Sequence, residues 1–224
     1  MVFRNVIVCH MVPGSDGIVG DVFAHYDRAT RPQDLGVIGR RLLTLHDLYI
    51  HVIERRQDPK ISGQTRGLPA FQKIAEEIGP YVTPYPRNWQ NPSDSVAKEF
   101  YRWEPETGAP PEEAGRNLTV IVQRLKPGAE ADIARIFAES DAGPLPTRLG
   151  VTGRWLYSID DVFVHLLERT DAAFSEGLGG DHEQPAFARI MAELTPFVSP
   201  YDPESWRGPD DAVAREFYRW QAED

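Results

Sequence analysis

One acid, one guanidinium and one imidazole occur twice in this chain at the same offset. Asp27, Arg40 and His51 return 114 residues later as Asp141, Arg154 and His165. An imidazole exchanges protons near neutral pH, a guanidinium stays charged and can hold an oxyanion, and a carboxylate can orient either one. Each residue alone has a structural reading: an arginine reaching out of a strand end, an acid opening a turn, a histidine satisfied inside a core. Their joint recurrence, while many surrounding positions change, favours chemistry. The other histidines do not recur, for His10, His25 and His46 become Arg124, Glu139 and Asp160, and His182 sits in a polar loop. No HExxH or Cys/His cluster, glycine-rich phosphate loop or nucleophile elbow is present, so neither metal, cofactor nor covalent intermediate is expected.

The elements that must position these residues follow from the repeat. HDLYIHVIER (46–55) returns as DDVFVHLLER (160–169), and in each the histidine is the one residue that titrates near neutral pH in a six-residue stretch that is otherwise apolar or aromatic. Such a run, rich in β-branched and aromatic residues, reads as a strand, and with both faces apolar it should be covered on both sides. The preceding segments, Leu35–Leu45 and Leu149–Ile159, are separated from it by only two turn residues, which predicts a tight antiparallel hairpin. Its pairing puts Thr44 opposite Tyr49, Leu42 opposite His51 and Arg40 opposite Ile53. Arg40 then lies on the face of His51, one diagonal step away, and Arg154 stands in the same relation to His165. Upstream of each hairpin come a strand (Val2–Val12, Leu118–Lys126) and a helix ending at Asp27 or Asp141, where a carboxylate opposes the macrodipole at about 0.3 to 1 kcal/mol.

Downstream, Arg56–Gly67 and Thr170–Gln184 read as polar loops or lids, followed by second helices from Pro69 and Pro185. The aromatic sets Tyr81, Tyr85, Trp89 and Phe197, Tyr201, Trp206 either roof a pocket or anchor their loops. Each half closes with a strand carrying the same five letters, EFYRW, at Glu99–Trp103 and Glu216–Trp220. The order strand, helix, strand, strand, helix, strand is the split βαβ, ferredoxin-like unit. Its two helices cover one face of a four-stranded sheet, and the apolar second face predicts that the halves pack sheet to sheet as a pseudo-dimer. The fold class is α+β, with two ferredoxin-like βαββαβ repeats at 1–103 and 116–224 joined by an acidic, Pro/Gly-rich linker at 104–115.

The 224 residues suit two domains of about 100 residues each. A net charge of −10 argues against a nucleic-acid or anionic-membrane partner and for a small molecule, or the protein itself. No apolar run is long enough to cross a bilayer, no leader pattern is read at the N-terminus, and the lone Cys9, read as a small buried hydrophobe, suits a reducing cytoplasm.

Both halves resemble the type II aromatic polyketide cyclases of the tetracenomycin F2 cyclase family. The matching pieces are FAHYD at Phe23, LGVIGRRLL at Leu35, HDLYIHVIE at His46, PAF at Pro69, YVTPY at Tyr81 with Trp89, and AKEFYRW at Ala97, each in weaker form in the second half. The resemblance implies a dimeric α+β barrel with a ligand cavity in each unit, here as a tandem fusion. It implies catalytic roles for Asp27, Arg40, His51, Asp141, Arg154 and His165, and a substrate-binding lining of Phe23, Tyr26, Leu42, Tyr49, Phe137 and Phe163. The histidine usual before the acid is Tyr26 here and Ser140 in the copy, so its role is lost. The activity implied is regiospecific aldol cyclisation and dehydration of a partly cyclised poly-β-ketone, a lyase-type reaction of antibiotic biosynthesis. The arginines would hold the enolate or aldol oxyanion, the histidines move the proton, and the acids orient the imidazole or a substrate hydroxyl. Alternatives are a cofactor-free anthrone or quinol monooxygenase on the same barrel, and a non-catalytic polyketide-binding subunit. Transient contact with polyketide synthase components and further self-association complete the expected partners.

Overall fold

The computed structural model describes residues 2–56, 69–105, 116–171 and 185–222. Most of both expected lid loops, the core of the linker, and His182 lie outside these residues. The described chain forms two compact units, Met1–Ala97 with Arg215–Asp224, and Lys98–Ala214.

The first unit holds β1 (Phe3–Met11), α1 (Asp16–Ala29), β2 (Val37–Leu45), β3 (Leu48–Arg55), α2 (Pro69–Ile78) and the short β4 (Val82–Pro84). In the second, β5 (Lys98–Trp103) is followed by β6 (Arg116–Leu125), α3 (Glu130–Asp141), a single-turn α4 (Leu145–Arg148), β7 (Val151–Ile159), β8 (Val162–Thr170), α5 (Pro185–Leu194) and β9 (Val198–Pro200). The final strand, β10 (Arg215–Gln221), belongs to the first unit. Each unit has one five-stranded antiparallel sheet, ordered β10-β2-β3-β1-β4 and β5-β7-β8-β6-β9.

The α+β class and the repeated ferredoxin-like order hold, but the four-stranded sheet expected within each repeat does not. The EFYRW strand of each sequence repeat pairs with β2 or β7 of the other repeat, and β4 and β9 add a fifth strand. The two receiving edges, LGVIGRRLL and LGVTGRWLY, are so alike that either last strand fits either edge, the condition under which strands exchange. Both exchanged strands carry a β-bulge, between Glu216 and Tyr218 and between Glu99 and Tyr101. The extra residue opposes nothing, so Phe217 and Tyr218, like Phe100 and Tyr101, both pack into the core between sheet and helices.

The hairpin register is the expected one: Arg40 faces Ile53, Leu42 faces His51 and Thr44 faces Tyr49, with the same relations in the copy. His46 and Asp160 open their turns with φ of 53° and 46°, a left-handed conformation that lets two residues reverse the chain. Residues Leu48–Val52 are all buried, as both apolar faces require. Helix α1 runs past Asp27 to Ala29 because the N–H and Oγ1 of Thr30 both donate to the Tyr26 carbonyl. Asp27 therefore sits in the last turn, whereas Asp141 does close α3.

Candidate active site

In the second unit, β7 and β8 carry Arg154 and His165 on one face, and the last turn of α3 lays Asp141 over them. All three are buried, at 7, 6 and 6% exposure for Arg154, His165 and Asp141. The guanidinium joins the set: Arg154 Nε donates to Asp141 Oδ2 at 3.0 Å and Oδ1 at 3.3 Å, and Nη1 lies 2.8 Å from His165 Nε2. An arginine can only donate, so His165 Nε2 accepts and the ring proton sits on Nδ1. Burial, then the adjacent guanidinium, push the proton affinity of His165 well below its ordinary value, so the ring is neutral. Asp141 is pushed up by burial, opposed by Arg154 and by the Tyr101 hydroxyl, which donates to Oδ2 at 2.9 Å.

Aromatic rings wall this set. The Arg154 guanidinium lies 4.4 Å from the Phe137 ring centre, and Phe137 and Phe163 stand 5.2 and 6.2 Å from the imidazole. A pocket, about 820 Å³ with the open solvent at its entrance included, opens onto Arg154 and His165 and is lined by Phe137, Phe163, Leu145, Leu149, Phe187, Ile190, Met191, Leu194 and Trp206. Ser140 and Gln123 add a hydroxyl and an amide to that lining. An apolar slot with a few converging polar groups is the usual form of a small-molecule site.

The first unit repeats the arrangement more loosely. Arg40 Nε stands 3.3 Å from Asp27 Oδ2, and the Tyr218 hydroxyl donates to that same oxygen at 2.9 Å. Phe23 stacks edge-on to His51 at 5.2 Å and lies under the Arg40 guanidinium at 5.2 Å. His51 Nε2 is buried with no hydrogen-bond partner, where its counterpart has Arg154. Burial, then Arg40 and Arg55, hold His51 well below the ordinary histidine range, and burial, against Arg40 and Tyr218, raises Asp27.

The structure thus brings each predicted acid, guanidinium and imidazole together. Of the predicted lining, Phe23, Tyr49, Phe137 and Phe163 flank the histidines, and Leu42 is fully buried opposite His51. Tyr26 turns elsewhere, its hydroxyl donating to Glu77 on α2 at 2.6 Å. The loop aromatics divide: Trp206 lines the pocket, whereas Tyr201 stacks under Arg124 at 4.0 Å and Tyr85 against His10 at 4.7 Å as anchors. Sequence reasoning missed Tyr101 and Tyr218. Their recurrence within EFYRW was the available signal, but the bulge that turns them toward the acids leaves no mark in periodicity. Among the described residues no cluster of three or more His, Cys, Asp or Glu is arranged to hold a metal ion.

Comparison with known proteins gives the family of the chain. A protein of Streptomyces coelicolor without assigned function is 48% identical over 104 residues, which are 46% of this chain and 93% of that one. Tetracenomycin F2 cyclase of Streptomyces glaucescens is 38% identical over 104 residues, again 46% of this chain and 95% of its own. A structure described as a putative monooxygenase of Fusobacterium nucleatum shares the fold over 98% of this chain and 94% of its own, with a TM-score of 0.58 at 11% identity. The model of the polyketide synthesis cyclase family matches twice, over residues 3–104 and 117–221, so the chain is a member of that family carrying two copies of its domain.

Proposed function

We propose that the chain catalyses intramolecular aldol cyclisation, followed by dehydration, of a partly cyclised aromatic poly-β-ketone. The observation that carries this reading is the buried Arg154–His165 contact at 2.8 Å, backed by Asp141 and opening onto an apolar pocket walled by Phe137 and Phe163. A methylene between two carbonyls is already acidic, so the main work is to fold the chain and place one carbanion carbon against one carbonyl. The neutral imidazole takes the methylene proton, and the enolate negative charge develops on oxygen within reach of the guanidinium. In the second unit Arg154 occupies the His165 lone pair at rest. Turning the guanidinium onto the substrate oxygen releases Nε2 at the moment a base is needed. The enolate carbon then bonds to the target carbonyl carbon, whose oxygen takes the proton back from the imidazolium. The imidazole, neutral again, removes the second proton of the same methylene carbon and passes it to the hydroxyl as it leaves as water, and the carbon–carbon double bond forms. Asp27 and Asp141 hold the guanidiniums in register throughout.

The test is anaerobic incubation with a freshly generated aromatic polyketide intermediate, following product by mass and absorbance for the intact chain, His51→Ala, His165→Ala and the double variant. Loss of water without oxygen, abolished in the double variant, is the expected result. Turnover only after oxygen is admitted, or product formation unchanged in the double variant, overturns the aldol reading.

A further inference from the structure

The two sites share acid, guanidinium, imidazole and phenol, but not the polar groups around them. Tyr49, Cys9 and Tyr26 of the first repeat are replaced in the second by Phe163, Gln123 and Ser140. In the second unit Ser140 Oγ is buried, has no hydrogen-bond partner and lines the pocket, and the Gln123 side chain, 9% exposed, lines it too on the strand beside Phe163. The first unit offers neither group. Tyr26 is taken by Glu77, and Cys9 is a buried thiol. Instead the Tyr49 hydroxyl, on a side chain 2% exposed and two residues from His51, has no partner, and neither has His51 Nε2. A buried phenol and a buried imidazole nitrogen without partners favour a ligand whose oxygens pair with them, since an analogue without those oxygens leaves them unpaired.

Given that both sites take aromatic polyketides as proposed above, we infer that they read different oxygen patterns, the first through Tyr49 and His51 and the second through Ser140 and Gln123. The chain then handles two different phenolic intermediates, rather than one intermediate twice. Such a division suits successive steps, in which the product of one closure carries a phenolic oxygen where its precursor carried a ketone.

Calorimetric titration of the intact chain with 1,8-dihydroxyanthraquinone and with unsubstituted anthraquinone separates the outcomes. The dihydroxy compound is expected to bind in two resolved steps. Tyr49→Phe weakens one of them by roughly tenfold, and Ser140→Ala with Gln123→Leu weakens the other by a similar factor. Anthraquinone is expected to be indifferent to all three substitutions. Phe163→Tyr, which places a phenol in the second unit at the position of Tyr49, is expected to shift the second step alone and guards against a fold defect in Tyr49→Phe. Two steps that the variants do not separate, or a single class of equal sites, overturn the division while leaving the cyclase reading intact. No saturable binding of either compound overturns both.

Discussion

Tyr101 and Asp141 stand in different sequence repeats, yet the phenol of one donates to the carboxylate of the other at 2.9 Å. Tyr218 and Asp27 mirror them at 2.9 Å across 191 residues of chain. The acid of each site is therefore held by a hydroxyl from the other repeat, delivered by the exchanged strand and aimed by its bulge. Burial and the neighbouring carboxylate raise both phenols well above their ordinary range, so they remain donors at any physiological pH.

Tyr101→Phe keeps the ring packed and deletes only this bond. Hydrogen bonds to charged groups contribute about 1.5 to 3 kcal/mol, and chemical denaturation should show a loss of that size. Turnover that depends on His165 should fall with it, and turnover that depends on His51 should not. An unchanged midpoint would mean that Asp141 finds another donor.

Arg154→Ala strands a carboxylate that is 1% exposed at its side chain. Leaving one member of a buried pair alone costs about 3 to 5 kcal/mol. Adding Asp141→Ala should recover part of that loss, and a double-mutant cycle measures the coupling directly. Strictly additive losses would show that the pair contributes no mutual stabilisation.

Acid should destabilise the fold through its two buried imidazoles. His51 and His165 have folded-state proton affinities well below the ordinary 6.5, so as pH falls through 6.5 the unfolded chain binds protons that the native chain refuses. Stability is then lost from about pH 6.5 downward, by at most about 1.4 kcal/mol per pH unit for each histidine. Above that pH the two make no pH-dependent contribution. Asp27 and Asp141, raised by burial, act with the opposite sign at lower pH, where the native chain takes protons first. Melting curves of His51→Gln with His165→Gln should be flatter between pH 7 and 5 than those of the unaltered chain, and equal slopes would sink the assignment.

Gly153 tests the packing that distinguishes β7. A Cβ there would lie 2.3 Å from the Trp155 ring, in a strand buried along its whole length, so Gly153→Ala should lose about 1 to 3 kcal/mol. At the equivalent Gly39 the nearest atoms, 2.8 Å away, are the ends of the flexible Gln221 and Glu54 side chains, and Gly39→Ala should be milder. Comparing the two melting temperatures checks it.

What could be read from sequence was what recurs locally. The hairpin register followed from a two-residue turn, and it alone put Arg40 beside His51. The acids were visible because a carboxylate at a helix end is unfavourable without a partner. Exchange of the last strands was not legible, since β2 and β7 offer nearly the same edge and nothing local tells β5 from β10. The phenols were lost with it. The difference between Tyr49 and Phe163 was in plain view, but it gained meaning only when both positions proved to stand beside the histidines.

The exchanged strand also sets the order in which the chain can be built. Arg41 on β2 bonds to Glu216 on β10 at a separation of 175 residues. At roughly 5 to 20 residues per second of synthesis, β2 waits on the order of ten seconds or more with its edge open. The second unit has its outer strand, β5, in hand before β7 is made, and so can close first. A premature stop just before Arg215 would accordingly spare the strands encoded nearest to it and undo the unit encoded first.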